Sequence, residues 1–436
     1  MNFSVALDLF PLLSGLLAAT TCALLGNFLV LRKLSLMGDA ISHSVLPGLV
    51  AAFVLAGSRN SGVMFLGAAA AGVFTAVLVE IIKKLGRVEP GAAMGVAFSV
   101  LFALGVLLIE QFARQVDLDA DCVLHGQLEG LVWYGHPETW RDAFTPQSLA
   151  GVPREIWTQL GMLAGAALFV GVLFKELRIA AFDAGLATAL GINASAMHFA
   201  LMVVVAAATV ASFEAVGSIL VIAMLICPAA TARLLTDRLA TQVWLSLAAA
   251  VLSTVAGYTG ASAIPALFNL PAVSAAGSMT VASGVLLVVA IVAAPRYGVI
   301  ARVLHRRSLA RRVLIDDLLG VLFRQREAGE PESSIQELAA AMPGRAVPEA
   351  VTLATQAGLV SRAGARVALT EPGIERGVDI IRRHRLWEHY LVERAGFRPD
   401  HVHDPAEVLE HLETSPPEGP VADPHGREIP SPPASS

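Results

Sequence analysis

Nine apolar runs dominate the first 300 residues, at 8–31, 36–56, 62–82, 91–111, 156–174, 194–212, 215–235, 240–262 and 275–295. Each approaches the roughly 20 residues that a helix needs to cross a bilayer. The pattern predicts an α-helical polytopic membrane protein with about nine transmembrane helices in residues 1–300. Past Arg296 the long runs stop, and shorter amphipathic segments follow around 313–325, 335–342 and 348–357, with a hairpin pattern at 359–369. Helix, helix–turn–helix and two-stranded wing in that order predict a winged-helix domain over 313–370. A polar helical segment fills 371–430, and the final SPPASS, 431–436, has the composition of a disordered tail.

Cationic residues orient the spans. Arg32, Lys33, Lys83, Lys84, Arg87, Lys175, Arg178, Arg233, Arg238 and Arg296 fall on one side if every run crosses, against scattered Arg59, Arg114, Arg141 and Arg154 on the other. The expectation is an N-terminus outside and a C-terminal domain in the cytoplasm. MNFSVALDLF holds an acid and no basic region, unlike a cleaved signal peptide. A makeup of 55% hydrophobic and 15% charged residues, with mean hydropathy +0.64, excludes an ordinary soluble protein. Cys22, Cys122 and Cys227 are far apart, which argues against a disulfide framework or a thiolate zinc site.

The most informative stretch is Leu31 to Gly48, LRKLSLMGDAISHSVLPG. It sets Asp39 and His43 one turn apart at the start of a span. Ionisable groups there normally face a polar pathway rather than lipid, and carboxylate with imidazole suits borderline divalent cations. The alternative is an interfacial cap at Asp39 and a satisfied interior His43. In the cytoplasmic segment 176–193, Asp183 is placed to cap a short helix that Gly191 stops. The outside insertion, 112–155, carries Trp133, Tyr134 and Trp140 beside Asp117, Asp119, Asp121, His125 and His136. Its aromatics suggest an interfacial loop that packs on the mouth and meets a binding protein, more than a cation collector. Glu214 reads equally as an entrance guard or a solvated loop residue, and His198 as a packing or interfacial histidine rather than a ligand.

Arg32-Lys33, Gly38-Asp39-Ala40, Ser42-His43 and Leu46-Pro47-Gly48 resemble the signature of the manganese/zinc/iron permeases of bacterial ABC importers. The resemblance covers about residues 8–300. It continues through Phe182-Asp183 to Gly191-Ile192, Val216-Gly217, Pro228 to Arg233, and Pro295 to Gly298. It implies a vitamin-B12-importer-like permease fold in the bacterial cytoplasmic (inner) membrane, with Asp39 and His43 as the metal site of the transport pathway. It further implies that Phe182, Asp183, Ala187 and Gly191 belong to a coupling helix that docks on a cytoplasmic ATPase. Other implied partners are a second permease, identical or paralogous, and an extracytoplasmic metal-binding protein. No Walker A loop is present, so ATP hydrolysis falls to a partner and this chain binds no nucleotide and is not itself an enzyme.

Downstream, RRHRLWEHYLVERAG, HVHDPAEVLEHLE and DPHGREIP resemble the diphtheria toxin repressor family of iron- and manganese-dependent regulators, over about 313–430. Asp404 is expected to cap a helix that starts at Pro405, with Glu407, Glu410 and His411 on one face and Val408, Leu409 and Leu412 on the other. By resemblance, Asp317, His384, Glu388, His403, Glu407, Glu410 and His411 match regulatory metal ligands. A set without sulfur suits Mn²⁺ or Fe²⁺ better than softer ions, with Zn²⁺ a third candidate. Gly320 stands where a further carboxylate is expected. The candidate recognition helix, PEAVTLATQAG, has no Lys or Arg, and Arg345, Arg362 and Arg366 nearby are a thin substitute, which argues against DNA binding.

The expected function is therefore the permease subunit of an ATP-driven importer of divalent transition metals, Mn²⁺ foremost, with a metal-sensing cytoplasmic tail that regulates transport. The alternatives are a membrane-tethered metal-dependent transcriptional regulator and a metal-chelate permease.

Overall fold

A computed structural model describes residues 5–34, 36–56, 61–112, 126, 128–133, 145, 148–149, 151–411 and 422–431. Within it the chain forms two compact units, residues 1–301 and 302–436.

The first unit is helical: α1 (Val5–Leu31), α2 (Met37–Ala56), α3 (Ser61–Gly86), α4 (Pro90–Phe112), α5 (Arg154–Val172), α6 (Phe174–Phe182), α7 (Ala184–Ala189), α8 (Ala194–Leu235), α9 (Leu239–Ala266) and α10 (Ala275–Ala293). Among the described residues, nine helical stretches are long and apolar enough to cross a membrane, and each overlaps one predicted run. Two of the nine lie within α8, which is helical except at Gly217 (φ 77°, ψ 165°). Only glycine adopts that backbone region readily, so the residue breaks α8 near the junction of its two spans.

Helices α1 and α8 pack together at the centre, flanked by α2, α3, α9 and α10. Their shared core holds Phe28, Leu25, Met202, Leu220 and Met224, all fully buried. Several polar groups inside it pair across helices, as an apolar surround favours. The Asn27 amide donates to Ser246 Oγ at 2.6 Å, and Gln242 donates to Asn27 Oδ1 at 3.0 Å. Thr75 Oγ1 donates to Ser44 Oγ at 2.6 Å, tying α3 to α2.

Part of the insertion, 112–155, belongs to this core. Trp133 is buried against Phe10, with ring centroids 5.0 Å apart, and its indole N–H donates to the Ser148 carbonyl at 3.1 Å. It is thus an anchor rather than an interfacial aromatic. Glu129 accepts from the Ala275 amide at 2.8 Å, at the start of α10. Asp117, Asp119, Asp121, His125, Tyr134, His136 and Trp140 lie outside the described residues, as do 432–436.

The second unit takes in the greater part of α11 (Val299–Glu327), then β1 (Glu332–Ser334), α12 (Ile335–Ala341), α13 (Val347–Gln356), β2 (Val360–Ala363), β3 (Arg366–Leu369), α14 (Glu371–Glu393) and α15 (His403–Leu409). The strands form an antiparallel sheet in the order β1-β3-β2, the sheet and wing of a winged helix. Ser334 and Glu337 close a reciprocal capping box at the start of α12. Leu318, Leu322, Leu338, Val351, Val367 and Ile380 interlock beneath. Helix α11 begins well upstream of residue 313, because the basic stretch before it contains no proline or glycine to stop a helix.

Two local expectations for 403–412 are corrected. Helix α15 starts at His403, not Pro405, and Asp404 does not cap it. A 3₁₀ turn at Pro399–His401 runs straight into it, so the chain is already in a right-handed helical conformation at Val402 (φ −100°, ψ −18°). A cap needs extended backbone, which residue 404 no longer has. Val408 is 71% exposed instead of facing inward. The inward row is Val402, Ala406 and Leu409, one helical stripe packed on Leu391 of α14. Leu412 lies outside the described residues.

Candidate functional site

Three arrangements carry chemistry. In the first, α2 presents Asp39 and His43 on one face, with His43 Nε2 3.3 Å from Asp39 Oδ1 and both side chains about one-third exposed. The intervening Ala40, Ile41 and Ser42 are buried and fix the face. On α4, Phe98 and Phe102 brace the imidazole, with ring centroids 5.5 and 5.7 Å from it. Spacing pointed to the acid and the imidazole. The aromatic brace was missed, although Phe98 and Phe102 are themselves one turn apart. A partly exposed oxygen–nitrogen pair in an apolar wall can exchange water for a hard or borderline cation and release it again.

The second is the segment of α6 and α7. Asp183 caps α7, its Oδ1 accepting from the Leu186 amide at 2.9 Å, and Gly191 ends the segment at φ 81°. Ala187 is fully buried, whereas Phe182, Leu186 and Leu190 are exposed by more than half. Phe182, Leu186 and Leu190 thus form an outward apolar row along this short, capped segment. Nearby, His198 is neither a lone packing residue nor one of the predicted ligands. It hydrogen-bonds Arg32 Nη1 at 3.0 Å, and its Nε2 lies 3.4 Å from Glu80, linking α1, α3 and α8.

The third lies in the second unit, where the seven expected ligands divide. His384, Glu388 and His403 form one group: His384 Nε2 is 3.1 Å from Glu388 Oε1 and 3.0 Å from His403 Nδ1, which is itself 3.0 Å from Glu388 Oε1. Asp317, Glu410 and His411 form another, with His411 Nε2 3.0 Å from Asp317 Oδ1 and 3.9 Å from Glu410 Oε1. In each group the candidate ligand atoms lie within 4.8 Å of one another. Glu410 joins the groups through a hydrogen bond between its Oε2 and His384 Nδ1. Glu407 points to solvent and is in neither.

Helix α14 supplies His384 and Glu388 at i, i+4, while α15 supplies His403 and delivers Glu410 and His411 just past its end. Asp317 comes from α11. Arg385 locks α14 in place by pairing with Glu327 at 2.6 Å and donating to the Glu428 carbonyl.

Burial alone would raise the Glu388 pKa, but hydrogen bonds from His384 and His403 outweigh it and bring it down to about 2. Burial likewise opposes protonation of His384, yet its bonds to Glu388 and Glu410 hold its pKa above the usual histidine value. The hydrogen bond to Asp317 raises that of His411, against the effect of burial. These groups suit divalent metal. Glu388 Oε2 is buried without a hydrogen-bond partner, which in a stable fold calls for a cation or a water, and Asp317 Oδ2 has no hydrogen bond and only the ion pair to Arg345. The donors are imidazole and carboxylate throughout, with no thiolate.

On α13 the exposed positions are Pro348, Glu349, Thr352, Thr355 and Gln356, with no cation among them. The neighbouring arginines have partners. Arg345 pairs with Asp317 at 2.9 Å, Arg366 with Glu332 at 3.3 Å, and Arg362 donates to the Gly364 carbonyl at 2.9 Å.

The model of the ABC 3 transport family matches residues 9–132 and 148–294. That of the iron dependent repressor metal binding and dimerisation domain matches 370–415. The chain is 38% identical to the manganese transport system membrane protein MntD of Bacillus subtilis, over 68% of this chain and 96% of that protein. It is 35% identical to the zinc transport system membrane protein TroD of Treponema pallidum, over 83% and 95%. Among solved structures, PsaBC from Streptococcus pneumoniae in complex with Fab is similar at a TM-score of 0.52 and 30% identity, over 66% of this chain and 92% of that one.

Proposed function

Because the chain belongs to the ABC 3 transport family, a family of membrane transport permeases, we propose that it is the permease subunit of an ATP-driven importer of divalent transition-metal ions. Mn²⁺ is the foremost cargo, and Fe²⁺ and Zn²⁺ are the others. The observation that carries this is the Asp39–His43 pair, 3.3 Å apart and one-third exposed on an apolar helix. Two ligands from one helix form an incomplete site. Such a site holds an ion weakly enough to let it go, as conduction requires.

ATP hydrolysis comes from separate cytoplasmic subunits that dock on the exposed row of α6 and α7. An external binding protein delivers the ion, and a second permease completes the path. The cationic bias of the loops supports an N-terminus outside and the second unit in the cytoplasm.

The second unit is the sensor. His384, Glu388 and His403 would hold one regulatory ion, and Asp317, Glu410 and His411 another. A bound ion would supply positive charge to carboxylates that are buried without enough of it. The residues of α11, α14 and α15 thereby become sensitive to cytoplasmic metal, and transport slows when that level rises. Such coupling needs metal to favour the inhibited state. A tethered transcriptional regulator is disfavoured by the outer face of α13, which carries Glu349 and no cation.

The test is uptake of radiolabelled Mn²⁺, Fe²⁺ and Zn²⁺ by cells that hold the whole transporter. Asp39→Ala and His43→Ala are each expected to lower Mn²⁺ uptake at least tenfold at unchanged protein level. Glu388→Ala is expected to leave initial uptake intact and abolish its slowing at high internal metal. Wild-type uptake from the Asp39 and His43 variants would refute the pathway site. Undiminished slowing in the Glu388 variant would refute the sensor.

A further inference from the structure

Asp317 is contested. Its side chain is only 7% exposed on α11; Oδ1 engages His411, while Oδ2 faces Arg345 Nη2 at 2.9 Å. That contact is an ion pair without hydrogen-bond alignment, and Oδ2 has no hydrogen-bond partner. Arg345 stands in the turn between α12 and α13. Its backbone is pinned by Arg345 N–H to the Met342 carbonyl at 3.2 Å and by Val347 N–H to the Arg345 carbonyl at 3.0 Å. Its side chain is 49% exposed, so the guanidinium can turn outward without any backbone movement. Among the described residues, the neighbouring carboxylates have partners of their own. Asp316, 4.0 Å from His411 Nδ1, is paired with Arg376 at 2.8 Å, and Glu410 Oε2 is held by His384.

We infer that Arg345 is a built-in counter-cation of the Asp317, Glu410 and His411 group, one that competes with the regulatory divalent ion for Asp317. This rests on the metal-site reading of that group. A divalent ion and a guanidinium held on one buried carboxylate repel each other strongly where solvent is scarce, even when each faces a different oxygen. Arg345 therefore gives up Asp317 when the group takes metal. Two consequences follow. The site answers only to metal concentrations high enough to outcompete the guanidinium, which sets the threshold of the sensor. Occupancy is also reported directly to the turn that enters α13, because the residue released stands next to Ala346, the N-cap of that helix.

The experiment titrates the full chain in detergent with Mn²⁺, following free ion by electron paramagnetic resonance. Wild type, Arg345→Gln, Arg345→Lys and His411→Ala are compared. Arg345→Gln is expected to bind about tenfold more tightly at the site that His411→Ala removes, equivalent to 1.4 kcal/mol. Arg345→Lys, which keeps the charge, is expected to stay near wild type. In parallel, modification of Arg345 by phenylglyoxal, quantified by peptide mass spectrometry, is expected to quicken when Mn²⁺ is added, while Arg366 does not change. If His411→Ala removes a site but Arg345→Gln and the modification rate leave it unmoved, the competition is refuted and the metal site stands. If His411→Ala changes Mn²⁺ binding in neither the wild-type nor the Arg345→Gln background, the metal-site reading fails and the competition with it.

Discussion

Replacing Glu388 by glutamine isolates the charge at the heart of the first histidine group. Glu388 is 1% exposed, accepts from both His384 and His403, and has its pKa brought from 4.5 to about 2 by them. That displacement corresponds to roughly 3 kcal/mol of native-state preference for the ionised form. The raised pKa of His384 is the same interaction seen from the imidazole, so the two are not added. Glu388→Gln keeps the shape and one acceptor oxygen and loses the charge. In the metal-free protein, the expected cost is up to about 3 kcal/mol, or on the order of a hundredfold in the local opening equilibrium of α14 and α15. The pH dependence has a definite sign. A depressed carboxylate contributes stability above its unfolded value and loses it as pH falls, so the gap between wild type and variant closes from about 4.5 towards 2. A raised histidine contributes below 6.5 and loses its part as pH climbs through its native value, so the gap narrows on the alkaline side too. Hydrogen exchange of the full chain with chelator present, read by mass spectrometry over residues 380–411 and corrected for intrinsic rates, measures it. Equal protection of the two proteins at pH 6, or a gap as wide at pH 4 as at pH 6, would refute the electrostatic account.

Two further outcomes are expected. Gly217→Ala forces a side chain into a φ of 77° and should destabilise the first unit by about 1–3 kcal/mol, seen as a lowered thermal midpoint in detergent; an unshifted midpoint would mean that α8 tolerates a regular turn there. Leu186→Asp puts charge on the outward row of α7 without touching the buried Ala187, and should abolish co-purification of the ATPase subunits while leaving the permease folded; retained co-purification would move the docking surface elsewhere.

Much of this was legible from local pattern. Span positions follow from apolar run length, because a helix in lipid must satisfy its own backbone and be greasy along its whole length. Each predicted run coincides with a span among the described residues to within a few residues. The Asp183 cap, the Gly191 stop and the winged-helix order were equally readable, since caps, turns and short amphipathic helices are decided by neighbours in sequence. Asp39 and His43 were visible for the same reason, as i, i+4 residues of one helix.

Only tertiary structure decided the rest. The seven tail ligands read as a single set, yet they fall into two groups bridged by Glu410, with Glu407 left in solvent. Which face of α15 turns inward depends on the 3₁₀ turn that feeds it and on Leu391 opposite. Trp133 looked interfacial and is buried on Phe10. Arg345 looked like a meagre phosphate contact and is paired with Asp317. Each of these contacts joins segments far apart in the chain. Helical periodicity states which residues share a face, but not what that face meets. That is set when whole helices pack, where excluded volume and the need to neutralise buried charge select one partner among many.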